Sequence, residues 1–156
     1  PVSENVGVFY PLQTFSKTNA IKFSSVPLCI EASNKRSQVK LMDLAKQLSG
    51  NVQLINSEKR KILHLAAVFA NNFSNQMYVI ADRILKKNKI PFKLLLPLIA
   101  ETTDKLKGGS PLAMQTGPAN RGDRKVMNEH LKMLSKNALA KALYGLISQS
   151  IIANKK

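Results

Sequence analysis

The sequence has one cysteine and no tryptophan among its 156 residues. A single thiol excludes disulfides within the chain and zinc sites built from several cysteines. Only two histidines are present in addition, so we expect no structural metal. Aromatic residues make up 6% of the chain, too few to favour a platform for stacking nucleic-acid bases. The pattern Gly-x-Gly-x-x-Gly, whose backbone cradles a dinucleotide phosphate, is also absent.

Acidic residues are scarce: 9 Asp and Glu stand against 24 Lys and Arg, giving a formal net charge of +15. Residues 58–156 hold 18 of these basic side chains and 6 of the acidic ones. Such an excess favours anionic partners, among them nucleic acid, phosphorylated cofactors and membrane surfaces. Because the lysines are scattered rather than grouped in blocks, we favour a solvated basic surface over nucleic-acid binding.

The N-terminus lacks a basic segment followed by an apolar run, so no signal peptide is predicted and a cytoplasmic location is expected. The longest uncharged stretch, residues 62–81, reaches membrane-spanning length but contains six polar side chains that make insertion costly. We therefore interpret it as a buried helix of a soluble protein and expect no membrane contact. The polar residues are His64, Asn71, Asn72, Ser74, Asn75 and Gln76.

The first 56 residues predict a small α/β layer. Short apolar runs at 6–9, 26–30 and 52–55 are typical of strands, and the apolar spacing over 35–48 is typical of a helix. Three strands with one helix leave one sheet face without cover and apolar strands at the edges. We therefore expect this segment to be the tail end of an α/β domain whose beginning lies outside the sequence, which starts with proline rather than methionine.

Residues 57–156 predict an almost entirely helical domain, so the fold class is α+β with mostly α structure. Ser57 is a candidate N-cap for a helix that runs to about Lys87. Pro91 begins another helix, in which Pro97 is expected to cause a kink. The remaining predicted elements are a loop over 107–122, a helix capped by Asp123, and a final helix over 139–151.

The long helix predicted after Ser57 has two contrasting faces. One is an apolar stripe, expected to belong to the core, formed by Ile62, Leu65, Ala66, Phe69, Phe73, Met77, Ile80 and Ile84. The other is polar without Lys or Glu from Ile62 to Ala81, and it is formed by His64, Val68, Asn71, Asn75, Tyr78 and Asp82. These groups either satisfy one another in a packed core or form the wall of a ligand site. We favour the wall, with His64 as a proton donor or as a hydrogen-bond partner of the substrate, because imidazole exchanges protons near neutral pH.

The loop over 115–123 is the second candidate for a site. It combines glycines with hydrogen-bonding side chains, and Arg121 can hold a carboxylate or a phosphate. The alternative is a plain connector whose glycines satisfy turn geometry. Two other polar side chains receive no site role: Cys29 is expected to be buried in a strand, and His130 to be exposed on an amphipathic helix.

Three stretches together resemble a bacterial family. They are VFYPLQTF at 8–15, HLAAVFANNF at 64–73 and QTGPANRGD at 115–123. Members of that family join an N-terminal Rossmann-like NADP-oxidoreductase domain to a C-terminal helical domain of unknown function. The wider architecture is similar to that of pyrroline-5-carboxylate reductases, prephenate dehydrogenases and 6-phosphogluconate-type dehydrogenases. The resemblance covers nearly the whole chain and implies that residues 1–56 close a Rossmann-like domain.

The resemblance also implies roles for individual residues. In the wider group the nucleotide-binding turn comes first, so NADP or NAD would be bound mainly by a segment that precedes this chain. Tyr10, Pro11 and Gln13 would lie at a strand end near the nicotinamide. The helical domain, residues 57–156, would form a homodimer and a cleft for a small substrate. The expected substrate-binding residues are Asn71, Asn72, Asn75, Thr116, Gly117 and Arg121, with His64 as the catalytic residue.

Two hypotheses from different classes follow. The first is the C-terminal part of an NAD(P)-dependent oxidoreductase, in which this chain orients the substrate and handles a proton. The second is a non-catalytic basic module that binds nucleic acid or an acidic partner, for which binding should weaken steeply as salt rises. A relative that has kept nucleotide binding as a sensor but lost the chemistry is a further alternative, and the sequence does not separate it from the first.

Overall fold

The computed structural model describes residues 3–16 and 20–155. Its fold is α+β and mostly α, with a small three-stranded sheet of Rossmann-like character near the N-terminus. The strands are β1 (Gly7–Pro11), β2 (Leu28–Ala32) and β3 (Val52–Leu54). The helices are α1 (Lys35–Leu48), α2 (Ser57–Ala67), α3 (Ser74–Lys87), α4 (Leu96–Lys105), α5 (Pro118–Arg121), α6 (Arg124–Met133) and α7 (Ala138–Ala153).

Internal packing divides the chain into two compact units, Pro1–Asn75 and Gln76–Lys156. This division falls inside the long helical segment, where a six-residue π-helix, Val68–Phe73, joins α2 to α3. The division differs from the boundary after residue 56 that the sequence predicts, which stays a prediction. Each unit is described by itself below.

In the first unit, β2 is the central strand. It pairs antiparallel with β1, so that Tyr10 lies opposite Cys29, and parallel with β3. Helix α1 connects the two parallel strands, as such a crossover requires. The core lies between this helix and one face of the sheet, where Val26, Leu28, Ile30 and Ala45 are buried.

The second face of the sheet is covered by a helix that follows residues 1–56. Side chains alternate along a strand, so Tyr10, Cys29 and Glu31 point away from the face that α1 covers. Tyr10 and Glu31 form hydrogen bonds to side chains of α2, and Cys29 is only 2% exposed. Helix α2 therefore lies on the second face. The expected burial of Cys29 is confirmed.

Helix starts in the structure show which local signals matter. Asn56, not Ser57, is the N-cap of α2, and its side chain accepts a hydrogen bond from the backbone N–H of Lys59. Asp123 caps α6 as expected, by accepting from Val126. Pro97 does not kink a helix, because residues 92–95 form a 3-10 turn and Pro97 falls in the first turn of α4. Proline has no backbone N–H, and the first turn of a helix does not need one.

The apolar stripe predicted as core is only partly covered. Four of its side chains are exposed to between 48% and 69% of their area: Ile62, Leu65, Phe69 and Phe73. Phe69 and Phe73 meet edge to face with ring centroids 5.0 Å apart. The stripe was expected in the core because its spacing is helical, but spacing alone does not say what lies against a face. In the described structure this surface of the first unit is open.

The second unit is built from the rest of the long helix and from the helices that follow it. Helix α5 is short and packs against α6 and α7. Ala119 and Ala140 are buried. Helix α5 is short because a turn residue lies on either side of it. These residues are Gly117 and Gly122, whose backbone φ angles are +104° and +74°. Both values favour glycine, so these two residues set the ends of α5.

Candidate functional site

Glu31 ties the start of α2 to the sheet. Its carboxylate accepts hydrogen bonds from the backbone N–H of Ser57 at 3.0 Å and from the Ser57 hydroxyl at 2.7 Å. The same carboxylate pairs with the guanidinium of Arg60 at 2.5 Å. The hydrogen bond from Arg60, followed by that from Ser57, lowers the pKa of Glu31 below its usual range. Glu31 therefore stays ionised under mildly acidic conditions and keeps α2 in place.

One helical turn further along, Tyr10 meets His64. The Tyr10 hydroxyl lies 3.2 Å from Nδ1 of His64, and the tautomer of the imidazole decides which of the two donates. Arg60 and His64 are four residues apart, a rise of about 6 Å along a helix. Glu31 and Cys29, the partner of Tyr10, are two residues apart, about 7 Å along a strand. Because these two spacings are similar, α2 can contact Glu31 through Arg60 and Tyr10 through His64 at the same time.

The π-helix Val68–Phe73 follows directly after this pair. A π turn holds one residue more than an α turn, which shifts the helix face that follows it. Segments of this kind are found at functional sites more often than their rarity predicts. Here the segment contributes side chains to the same cleft as Tyr10 and His64.

The cleft beside the Tyr10–His64 pair has a volume of about 660 Å³. It lies wholly within the first unit and is open to solvent. Among the described residues that line it, none is charged, and the polar groups are hydroxyls, amides and one imidazole. Its walls are the end of β1 with the residues after it, helix α2 and the π-helix. The lining residues include Tyr10, Gln13, Thr14, His64, Asn71 and Asn72. This arrangement can hydrogen-bond an uncharged polar molecule and exchange a proton with it.

Five of the residues singled out from the sequence therefore line one cleft: Tyr10, Gln13, His64, Asn71 and Asn72. Pro11 is the last residue of β1 and is not part of the lining. Asn75 also lies outside the lining, and it follows the π-helix, whose extra residue shifts the helix face relative to a regular α-helix. A sequence projected at the α-helical angle carries no sign of that shift.

Thr116 and Gly117 lie elsewhere, beside a mainly apolar hollow of about 250 Å³ in the second unit. Arg121 is exposed at the end of α5, and within residues 3–16 and 20–155 it forms no ion pair. The side-chain amide of Asn120 donates to the carbonyl of Gln115 at 2.8 Å and closes the turn. Much of the loop's composition is thus explained by turn geometry, the alternative that the sequence left open.

His130 is a polar residue that sequence reasoning placed wrongly. It is half-buried, and its Nδ1 lies 2.9 Å from the hydroxyl of Tyr144 on α7. The two rings meet edge to face with centroids 5.6 Å apart. The contact between His130 and Tyr144 cannot be predicted from a single sequence, because their spacing does not show that the two helices touch.

Metal and thiol chemistry find no support in the described residues. Across residues 3–16 and 20–155, no three His, Cys, Asp or Glu side chains gather as a metal site would require. Burial raises the pKa of the Cys29 thiol, while Arg60 acts weakly in the opposite direction. A thiol that stays protonated is a poor nucleophile. In the same part of the chain, no helix combines the length and apolar character needed to cross a membrane.

The chain is similar to proteins of known structure. Its fold is similar to that of a putative NADP oxidoreductase from Bacteroides fragilis, with a TM-score of 0.92 and 46% sequence identity. It is also similar to protein TM1727 from Thermotoga maritima, with a TM-score of 0.81 and 25% identity. Each match covers 96% of this chain but only 57% and 61% of the respective relative. The chain thus spans about three fifths of those proteins.

The search of curated proteins gave no match. A family model described as Domain of unknown function (DUF2520) matches residues 26–151. That range contains the two parallel strands β2 and β3, the π-helix and the seven α-helices up to the last turn of α7. The chain therefore belongs to the DUF2520 family.

Proposed function

We propose that this chain is the C-terminal part of an NADP-dependent oxidoreductase that acts on a small, polar, uncharged substrate. The observation that carries the proposal is the Tyr10–His64 hydrogen bond at the edge of an uncharged cleft. The likeness to a protein named as an NADP oxidoreductase adds support, although it covers 57% of that protein.

The polar groups of the cleft fit the nicotinamide end of the cofactor and not its pyrophosphate. Its described lining has hydroxyl and amide groups but no cation, so it suits a carboxamide ring and a neutral substrate rather than a pyrophosphate. The pyrophosphate would bind in a preceding segment of a longer protein, at a helix N-terminus. NADP supplies or accepts the hydride when it is bound. Tyr10 and Gln13, at the end of β1, would contact the nicotinamide.

The residues of this chain would handle the proton that accompanies the hydride. His64 and Tyr10 share one hydrogen bond, so a proton given up by the hydroxyl can be replaced from the imidazole. Asn71 and Asn72, on the π-helix, each offer an amide that can donate to and accept from the substrate. Glu31 and Arg60 would act as positioning residues, since they hold the helix that carries His64.

The test uses the full-length protein. NADPH binding is measured first by the enhancement of its own fluorescence, and carbonyl and imine compounds are then screened by the loss of NADPH absorbance. With an active compound in hand, we expect His64→Ala to lower kcat by about 100-fold, the usual worth of a general acid. The affinity for NADPH should change by less than about twofold, since His64 acts on the proton and not on the nucleotide.

A matched control is Lys61→Ala, an exposed residue on the same helix whose partner is Glu58. It should leave both quantities unchanged. An unchanged kcat in His64→Ala would refute the catalytic role, and a full-length protein that fails to bind NADPH would refute the oxidoreductase itself.

We also propose that the chain forms a homodimer through its helical part. The support is the open apolar surface formed by Ile62, Leu65, Phe69 and Phe73. Contiguous apolar surface of this kind is uncommon on a monomer and is typical of an interface. A two-fold partner would cover the same surface on both copies.

A further inference from the structure

The second compact unit contains two adjoining hollows that share three lining residues, Ile84, Leu134 and Tyr144. One has a volume of about 250 Å³ and the other of about 390 Å³. Because they share walls, they form one elongated depression, here called the amphipathic groove. Its sides are α3, α6, α7 and the turn before α5.

One end of the groove is cationic. Lys87, at the end of α3, and Lys136, just before α7, both line the larger hollow. No acidic side chain is among the described residues that line it, and neither lysine forms an ion pair within residues 3–16 and 20–155. The neighbouring Lys86, by contrast, pairs with Asp82 at 2.7 Å. Two uncompensated charges thus meet at one hollow.

The same end carries a fixed polar pair. The Tyr144 hydroxyl and Nδ1 of His130 are bound to each other at 2.9 Å, and both residues line the hollow. Their rings also contact edge to face. This double contact between α6 and α7 holds the wall of the hollow in one arrangement, so a ligand would meet a preformed surface.

The other end of the groove is apolar. Ile80, Leu143, Ile147 and Ile151 line the smaller hollow, together with the backbone turn at Gly117. Apolar surface of this kind gains about 25 cal/mol for each Å² that a ligand removes from water. The groove therefore offers a cationic end and an apolar end within one unit.

We propose that the amphipathic groove binds a small amphipathic acid. Its anionic head would lie between Lys87 and Lys136, and its apolar body would extend past Leu134 towards Ile147. An inorganic anion alone would leave the apolar end uncovered, and an uncharged hydrocarbon would leave the lysines unpaired. The combined volume suits a chain or ring system of small-metabolite size. This assignment does not depend on the oxidoreductase proposed above.

Each of the two hollows is lined by a methionine whose NMR signal can report ligand binding. Met77 lines the apolar hollow and Met133 the cationic one, whereas Met42 packs against the core of the first unit. In the full-length protein with isotope-labelled methionine methyl groups, octanoate serves as the probe. We expect the NMR signals of Met77 and Met133 to shift on titration and that of Met42 to stay in place. Acetate has the head alone and 1-octanol has the body alone, so both should bind more weakly.

Variants test the cationic end. Lys87→Gln and Lys136→Gln should each weaken octanoate binding by about 10-fold, close to the lower end of what one hydrogen bond to a charged group contributes. Lys93→Gln removes the same charge from an exposed position outside the groove and should have no effect. Both lysines are exposed, so neither change is expected to impair folding.

Three results would overturn the proposal. They are an unshifted Met77 and Met133, equal affinity for octanoate and 1-octanol, and lysine variants that bind like the Lys93 control. None of these results bears on NADPH binding or on His64→Ala, so the two proposals fail separately.

Discussion

At the scale of single residues, Glu31 links the sheet to the start of α2. It binds Ser57 twice and Arg60 once, and these contacts lower its pKa. A carboxyl group whose pKa is lower in the folded state stabilises the fold above its unfolded pKa. That contribution disappears as pH falls through the folded pKa. The stabilisation by Glu31 is therefore present at neutral pH and lost in acid.

We expect Glu31→Gln to lower the thermal midpoint of the protein at neutral pH. The difference from the unsubstituted protein should shrink as the pH is lowered past the range in which glutamates titrate. Glu58→Gln is the matched control, because its pair with Lys61 is 78% and 74% exposed and should contribute little. A pH-independent difference for Glu31→Gln would mean that its charge is not what matters. The measurement is thermal unfolding followed by circular dichroism across pH.

Substitution of glycine by alanine is expected to have opposite effects on stability at two positions. Gly122 has a φ of +74°, and Gly145 lies in the middle of α7, and an added Cβ would meet nothing within 4 Å at either position. Gly122→Ala should destabilise by about 1 kcal/mol, since L-residues are strained at positive φ. Gly145→Ala should stabilise by about 0.5–1 kcal/mol, because alanine loses less conformational freedom in a helix. Urea unfolding measures both, and effects of equal sign would contradict the argument.

At the scale of elements, the start of α2 depends on a cap. The Asn56 side chain accepts from the backbone N–H of Lys59. Asn56→Ala should therefore cost about 1 kcal/mol, whereas Asn56→Asp should retain the cap and add a favourable charge at the helix N-terminus. Urea unfolding of the two variants is the comparison, and an alanine variant as stable as the aspartate variant would show that the cap contributes nothing.

Several elements could be predicted from sequence because their causes are local. The helix Lys35–Leu48 was predicted with the observed bounds, since its apolar spacing and the glycine after it agree. Asp123 was also recognised as a cap. Sequence alone does not separate Ser57 from Asn56 as the cap, because both residue types favour that position and only the geometry distinguishes them.

Other features could not be predicted because they depend on contacts between distant segments. The π-helix Val68–Phe73 looks like ordinary α-helix in sequence, and a projection at the α-helical angle places Asn75 on the polar stripe although it does not line the cleft. The pairing of Tyr10 with His64 joins residues 54 positions apart. Sequence indicated both residues, by two separate routes, but not that they touch.

At the scale of the whole molecule, the exposed apolar surface of Ile62, Leu65, Phe69 and Phe73 leads to a prediction about self-association. Phe69→Glu places a charge in the middle of that surface and should convert a dimer to a monomer, since burying an unpaired carboxylate is costly. Val39→Glu, on an exposed position of α1, is the control and should leave the mass unchanged. Light scattering coupled to size-exclusion chromatography gives the mass of each. An unsubstituted protein that runs as a monomer would refute the homodimer.

The burial of Cys29 means that the rate at which its thiol is labelled can report on opening of the first unit. It is the only thiol in the sequence, it is 2% exposed, and burial keeps it protonated. A maleimide reagent can therefore modify the chain only when the sheet of the first unit opens. The labelling rate, followed by mass spectrometry, reports how often that happens, with no signal from the second unit. Any variant or ligand can then be assigned to one unit or the other by whether the rate changes.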